Sequence, residues 1–394
     1  MIGLVLVLLG APFLAACGYL FALTLLSRRG HPAAQTAEPR LPIAIVVPAH
    51  DEEAGIAATV QSLLALDYPR DLFRVFVIAD NCSDQTAERA REAGASILVR
   101  DDADRRGKGY ALEHAFEWIL RDGWAAAAVV VDADTVVSPN LLRAFAARLE
   151  AGELAIQADY AVRNVDASWR TLLMSIALGL VHVVRPLARE RLRLSCGLRG
   201  NGMCFARAAL ERVPHHAFSI VEDLEYGLRL GEAGIRVAYA GEAHVYGEMV
   251  STGRAAASQR RRWEGGRFAM ARLHAPRLLR DAFRLRDRVR LDLALDLLVP
   301  PLSLLAVPVL LGLVAAAALK SAAAMTVSGA SALFLVAYVF RGWMVSGTGA
   351  RGLAALLCAP AFVAWKLAIL AVRSRTKEWV RTTREDQGAR ATSA

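Results

Sequence analysis

Cysteine is scarce in this sequence and has no partner pattern. Five occur in 394 residues (Cys17, Cys82, Cys196, Cys204 and Cys358), with no Cys-x-x-Cys among them. That spacing excludes a disulfide framework and a cysteine zinc site, and it suits a reducing compartment; Cys196 and Cys204 are the pair an oxidant could join. No internal repeat or extended low-complexity tract is visible, and no Walker loop of the form Gly-x-x-x-x-Gly-Lys-Ser/Thr is present. An acidic excess is also lacking: 47 basic residues stand against 38 acidic ones, a net charge of +9. Many of the arginines flank apolar blocks (Arg28, Arg29, Arg341, Arg351, Arg373, Arg375), which reads as membrane orientation and not as nucleic-acid binding.

Charge is absent from Ile2 to Leu26, long enough to cross a hydrocarbon core of about 30 Å. The stretch ends at Arg28-Arg29. Leu14-Ala15-Ala16-Cys17 has the look of a lipoprotein cleavage site, but no basic residue precedes the apolar run and the run continues past Cys17. An uncleaved anchor is therefore expected, with the following domain on the cytosolic side. Toward the other end, Leu293 to Leu319, Met325 to Val345 and Ala350 to Val372 are each long enough to span. Pro300-Pro301 and Pro308 predict a kink or break in the first. Three crossings would leave the arginine-rich tail outside, against the charge rule, so either the proline-containing block is a hairpin or Ala350–Val372 lies partly in the interface. These blocks show no acid pair, which argues against a transporter. The expected division is an anchor at 1–27, a linker at 28–41, a cytosolic domain at 42–290, transmembrane or interfacial helices at 291–372 and a basic tail at 373–394.

Between the blocks, β-rich runs alternate with helical stretches: Ile43 to Val47, a helix from Glu52 to Leu66, Phe73 to Ala79, a helix from Ser83 to Ala93 with Ser83 as its cap, Ser96 to Val99, a helix from Tyr110 to Leu120, and Ala126 to Val131. This order predicts an α/β domain with a mostly parallel sheet, whose ligands collect at the carboxyl ends of the strands. Acids mark three of those ends: Asp51-Glu52, Asp80, and Asp132 with Asp134. Each acid alone reads equally well as a solvated cap or turn residue.

Asp132-Ala133-Asp134 follows an apolar strand. On an extended chain its two carboxylates share a side, a donor set suited to a hard divalent cation held together with substrate phosphates. Arg105-Arg106-Gly107-Lys108-Gly109 opens a helix and reads either as a phosphate-binding turn, with Lys108 as the cation, or as an exposed basic turn. Glu222-Asp223 lies at the start of a helix predicted over Leu224 to Ala233, as dipole-complementing acids or as a general base. Gln259-Arg260-Arg261-Arg262-Trp263 reads either as a basic membrane-surface helix or as a clamp for a diphosphate and a sugar ring.

Taken in order, Pro48-Ala-His-Asp-Glu-Glu53, Ala79-Asp-Asn-Cys-Ser-Asp84, Asp132-Ala-Asp134, Glu222-Asp223 and Gln259-Arg-Arg-Arg-Trp263 resemble the family 2 glycosyltransferases. The likeness is to the membrane branch containing cellulose, chitin and hyaluronan synthases. It covers roughly Pro42 to Phe268 and extends less fully to Trp379-Val-Arg-Thr-Thr-Arg384. Ala79 and Val221 stand where many relatives carry Asp and Thr. The resemblance implies a GT-A-type sheet domain inserted between transmembrane helices. It places the nucleotide-sugar donor on Ala49, Glu52, Asp80, Lys108, Asp132 and Asp134, with Mg2+ or Mn2+ on Asp132 and Asp134. Asp223 would be the catalytic base. Gly200, Asn201, Gly202, Glu222, Gln259, Arg262 and Trp263 would border the acceptor and diphosphate. The expected activity is inverting transfer of a hexose, from a UDP-sugar, to a growing polysaccharide or a lipid-linked acceptor at a bacterial inner membrane, with export or assembly partners. Alternatives are a non-processive transferase adding one sugar to a polyprenyl-linked oligosaccharide, and a silent nucleotide-binding scaffold.

Overall fold

The computed structural model describes residues 2–28, 38–249 and 253–371, without the side chains of 253–262 and 369–371. Helix α1 (Ile2–Leu26) precedes an alternating series: β1 (Ile43–Ala49), α2 (Ile56–Leu64), β2 (Phe73–Asp80), α3 (Thr86–Glu92), β3 (Ser96–Arg100), α4 (Lys108–Asp122) and β4 (Ala127–Val130). There follow β5 (Val136–Val137), α5 (Leu141–Glu150), β6 (Ala155–Val162), α6 (Trp169–Leu178), a π-helical segment (Gly179–Val184), α7 (Arg185–Arg191), β7 (Met203–Ala206), α8 (Arg207–Arg212), α9 (Glu222–Glu232) and β8 (Val237–Gly247). The remaining helices are α10 (Gly253–Leu285), α11 (Arg288–Leu298), α12 (Leu302–Ala318), α13 (Ala322–Ser346), α14 (Gly349–Ala355) and α15 (Ala359–Ala371).

The strands form one eight-stranded sheet in the order β3-β2-β1-β4-β7-β6-β8-β5. Strands β3, β2, β1 and β4 are parallel, as expected, and β7 is antiparallel to both β4 and β6. Side chains alternate across a strand, so β1 feeds two cores. Ile43, Ile45 and Val47 bury against Ile56 and Val60 of α2 and Phe145 of α5, while Ala44 and Val46 bury against Leu112 and Phe116 of α4 and Tyr226 of α9. Helix α4 starts tight against the 217 loop: a methyl group on Gly109 would stand 2.1 Å from the Ala217 carbonyl oxygen, so only glycine fits there.

Two local expectations are corrected. Helix α3 begins at Thr86, not Ser83, because Asp84 Oδ1 accepts the Thr86 N–H at 2.9 Å while the Ser83 N–H goes to Asp51 Oδ1 at 2.7 Å. Asp132-Ala133-Asp134 is a turn and not extended chain: β4 ends at Val130, and the Thr135 N–H closes on the Asp132 carbonyl at 3.2 Å.

Among the described residues, four helical stretches are long and apolar enough to cross a membrane: Ile2–Leu26, Trp169–Arg191, Ala322–Ser346 and Gly349–Ala368. The pair α11 and α12 passes the same test together but bends by 68°, at Pro300-Pro301, as the prolines predict. Trp169–Arg191 was not anticipated, since it lies inside the stretch expected to be soluble; most of it is covered by the rest of the fold. Leu180 and Val184 pack with Cys17 and Leu20 of α1, Leu305 and Val309 of α12, and Leu335 and Tyr338 of α13. Helices α1 and α13 run in the same direction, because a methyl on Gly3 would meet Ser321 Oγ while Arg341 donates to the Ser27 carbonyl at 2.6 Å. All five cysteines are free, and Cys17 is fully buried within an unbroken helix.

Helix α11 carries two acids at the edge of the first C-terminal apolar block, Asp292 just before Leu293 and Asp296 inside it. Asp292 pairs with Arg189 Nε at 2.8 Å, and Asp296 with Arg189 Nη2 at 2.8 Å and Arg185 Nη1 at 3.0 Å. Tyr19 donates to Asp292 Oδ1 at 2.7 Å, and Arg185 donates to the Tyr338 hydroxyl at 2.7 Å. Both acids are thus engaged by arginines, an interhelical clasp between α7 and α11.

Candidate active site

The parallel strands and the reversal at β7 bring the site together. Because β7 is antiparallel to β4, with Met203 opposite Val130, the loop entering β7 meets the chain leaving β4 at one sheet edge. Asn201, fully buried, clamps that junction: its Oδ1 accepts the Asp132 N–H at 3.1 Å, and its Nδ2 donates to Thr135 Oγ1 at 2.8 Å. Gln157, also buried, holds the other side, donating to the Asn201 carbonyl at 2.7 Å and accepting the Arg199 N–H at 2.8 Å. Asn201 is therefore a structural clamp on the turn, and Gln157 is a supporting residue that strand periodicity alone does not flag.

Lys108, the first residue of α4, reaches across the edge. Its Nζ lies 2.5 Å from Asp132 Oδ1, 2.5 Å from the Gly200 carbonyl and 3.7 Å from Glu222 Oε1. Within the basic turn, Lys108 points inward to these acids, whereas Arg105 turns outward to Glu113 at 2.7 Å. Burial works against the Lys108 ammonium, but Asp132, Glu222 and Asp223 outweigh it and hold its pKa above the ordinary lysine range. Gly200 has φ +79° and faces the acids: a methyl there would stand 3.4 Å from Asp223 Oδ2 and 3.7 Å from Lys108 Nζ. A side chain at Gly200 would both strain the backbone and fill the gap.

Glu222 and Asp223 form the first turn of α9. Burial pushes Glu222 up to about 7, against the pull of Lys108 and with the repulsion of Asp223 adding to it. Burial likewise raises Asp223, opposed by the Leu224 N–H and by Lys108. Three acidic side chains around one ammonium leave an acidic excess at this edge. An ammonium already stands against Asp132, so the turn attracts cations; Asp132 and Asp134 are two partly exposed carboxylates, a hard-oxygen donor set of the kind a divalent ion takes. Among the described residues, the group of three metal-ligating side chains that lie close together is a different one, Asp51, Cys82 and Asp84. Its carboxylates are already taken by the N–H groups of Ser83, Glu53 and Thr86.

Asp80 closes the far side. Registry sets it opposite Arg100 of β3, whose Nη1 donates to Asp80 Oδ1 at 2.6 Å; Asn81 donates to the same oxygen at 3.0 Å. Arg100 was missed in the sequence, although its place at a strand end next to Asp101-Asp102 was the available signal. Ala49 is buried at the end of β1, and the Glu52 N–H donates to Thr86 Oγ1 at 2.8 Å. Gln259 and Arg262 lie on the backbone of α10, with side chains outside the described residues, as is Trp379–Arg384. Trp263 is 39% exposed, and three residues later Gly266 abuts Val221, just before Glu222.

Residues 39–266 match the family profile described as "Glycosyltransferase like family 2". The beta-monoglucosyldiacylglycerol synthase of Synechocystis sp. is 30% identical over 236 residues, 57% of this chain and 47% of that protein. The glycosyltransferase AglD of Haloferax volcanii is 34% identical over 129 residues, 31% of this chain and 20% of that one. The chain thus spans about half the length, or less, of these curated relatives. The mannosyltransferase PcManGT from Pyrobaculum calidifontis, solved with GDP-Man and Mn2+, superposes with a TM-score of 0.56 at 17% identity, covering 96% of this chain and 100% of that one. That likeness establishes a shared GT-A architecture. With more than half of its length matched by the family profile, and with the expected acids gathered at one sheet edge, the chain belongs to glycosyltransferase family 2.

Proposed function

We propose that this chain transfers a single hexose, with inversion, from a nucleotide-diphosphate sugar to a lipid acceptor at the cytosolic face of a membrane. The observation that carries the reading is the convergence of Lys108, Asp132, Glu222, Asp223 and Gly200 at a sheet edge in a fold bearing apolar, span-length helices. The name of the Synechocystis relative, a synthase of a glucosylated diacylglycerol, favours a lipid acceptor over a growing polysaccharide. UDP is the proposed nucleotide. Asp80 and Arg100 together offer an acceptor and a donor to a base edge, with Ala49 at the end of the neighbouring strand.

A bound divalent cation on Asp132 and Asp134 would neutralise charge on the departing diphosphate. The chain's own residues do the rest. Lys108 orients Asp132 and adds positive charge beside it. Asp223, made more basic by burial, takes the proton of the acceptor hydroxyl as its oxygen attacks the anomeric carbon. Glu222 keeps Lys108 in place, and Gly200 leaves the space next to Asp223 open for the acceptor. Gln259, Arg262 and Trp263 would border the diphosphate and acceptor from α10.

The test is mass analysis of lipids formed in native membranes from a panel of nucleotide sugars. Addition of one hexose to a lipid by the parent chain, lost in Asp223→Asn with donor binding kept within a few-fold, is the expected result. A positioned base contributes about 10²–10⁴-fold. A polymeric product would favour the polysaccharide alternative, and no product from any donor would favour the silent scaffold.

A further inference from the structure

Arg199 occupies a peculiar place between the acid-rich site and the helical bundle. It immediately precedes Gly200, the residue set against Asp223 and Lys108. Its Nη2 donates to two backbone carbonyls, Val181 of the π-helical segment at 3.3 Å and Cys196 at 3.0 Å. Its Nε is buried without a hydrogen-bond partner, and among the described residues no carboxylate forms an ion pair with it. On the bundle side its neighbours are also cations. Arg185, Arg189 and Arg267 share Asp292 and Asp296, with Arg267 also donating to the Asp296 carbonyl. Arg199 lies within electrostatic range of Asp296 on one side and Asp223 on the other. Four guanidinium groups thus face three carboxylates, Asp292, Asp296 and Asp223, in a largely enclosed space.

Backbone carbonyls satisfy donors but do not neutralise charge, and enclosed charge is costly unless matched. Burial, only partly offset by Asp296 and reinforced by the repulsion of Arg189 and Arg185, holds Arg199 below the ordinary arginine range, so a further anion there would be welcome. Arginine is also the side chain best matched to phosphate oxygens.

We propose that Arg199 anchors the phosphate of a lipid acceptor, one in which a phosphate or diphosphate links the chain to a hydroxyl-bearing headgroup. This rests on the lipid-directed reading above and narrows it. The phosphate sits on Arg199, facing the arginine-rich bundle, and the headgroup passes Gly200 to reach Asp223. There the headgroup hydroxyl oxygen bonds to the anomeric carbon, the bond from that carbon to the diphosphate breaks, the proton passes to Asp223, and the nucleoside diphosphate leaves with the electron pair.

The experiment uses the full chain in phosphatidylcholine vesicles with donor and three acceptors: a polyprenyl diphosphate-linked sugar, diacylglycerol, and a soluble sugar phosphate. Arg199→Gln should raise KM for the polyprenyl acceptor by about ten- to a hundredfold, the range of one charged hydrogen bond, and Arg199→Lys should recover part of it. The soluble ester should compete weakly with the polyprenyl acceptor, and less so in Arg199→Gln. Diacylglycerol should be a poor acceptor, indifferent to the substitution. Binding of a fluorescent polyprenyl phosphate without donor gives a second readout, and nucleotide affinity of each variant reports an intact fold. An unchanged acceptor KM and unchanged probe binding in Arg199→Gln, or diacylglycerol serving as well as the phosphorylated lipid, overturns the proposal while leaving lipid glycosylation standing. Failure of the parent chain to glycosylate any lipid sinks the functional reading instead.

Discussion

At the scale of single residues, Lys108 is the most informative side chain, because it ties the end of β4, the β7 loop and the start of α9 to one ammonium. Lys108→Met should leave Asp132, Glu222 and Asp223 without an internal counter-charge. We expect a lower thermal midpoint in chelator, substantial recovery on adding Mn2+, and transfer activity reduced at least about a hundredfold. A midpoint indifferent to both substitution and metal would place the lysine outside the charge balance of the site. His215 tests the fold rather than the chemistry. It sits between Phe116 and Tyr226, and burial lowers its pKa to about 4. The unfolded chain takes up a proton near pH 6.5 while the folded one stays neutral to about 4, so stability should fall as pH drops through that window. The loss is at most about 3–4 kcal/mol. His215→Phe should flatten the pH dependence of the midpoint between 6.5 and 4. An unaltered slope would assign the acid sensitivity elsewhere.

Among the elements, α15 and α10 are joined by a pair that neither helix explains alone. Lys366 is the one charged residue of α15, and its Nζ lies 2.5 Å from Glu264 Oε1, directly after Trp263. Both side chains are largely buried, so breaking the pair exposes no solvent to replace the lost partner and costs about 3–5 kcal/mol. Glu264→Lys alone should destabilise the chain and make α15 sensitive to protease. Adding Lys366→Glu should recover most of the loss. A double variant no better than the single one would show that helix packing, and not the ion pair, holds the two together. Acceptor KM would move with the stability if α15 positions the Trp263 region.

On the scale of the whole molecule, the same pair bears on the crossing problem posed by the arginine-rich tail. Lys366 meets Glu264, which belongs to the helix flanking the sheet domain, so α15 returns to the domain's side. Helices α1 and α13 run in the same direction, and Arg341 and Ser27 mark a shared level at their C-terminal ends. If α14 and α15 lie along the interface, α1, α12 and α13 would make three crossings, an arrangement that would put both the domain and the tail with the arginines inside. A reporter placed after Ala394 should be cytosolic, and one inserted at Lys320 should be external. A protease-accessible sheet domain in intact cells, or an external C-terminal reporter, would refute this orientation.

Much of this was readable along the chain, for physical reasons. Alternating apolar runs specify a doubly covered sheet, acids at strand ends mark its ligand edge, and an uncharged apolar run specifies a span, because each depends on near neighbours in sequence. What only the folded chain decided depends on partners far apart. Asp132 and Asp134 lie on a turn because Asn201, 69 residues after Asp132, clamps it. Lys108 faces inward because Gly200 and Glu222 arrive from other elements. The i, i+4 spacings of Arg185 with Arg189 and Asp292 with Asp296 stand openly in the sequence, yet each alone is an ordinary helical pattern. Only when α7 meets α11 do the two ladders pair and leave Arg199 beside them without an ion pair of its own, because charge balance is a property of a volume and not of a segment.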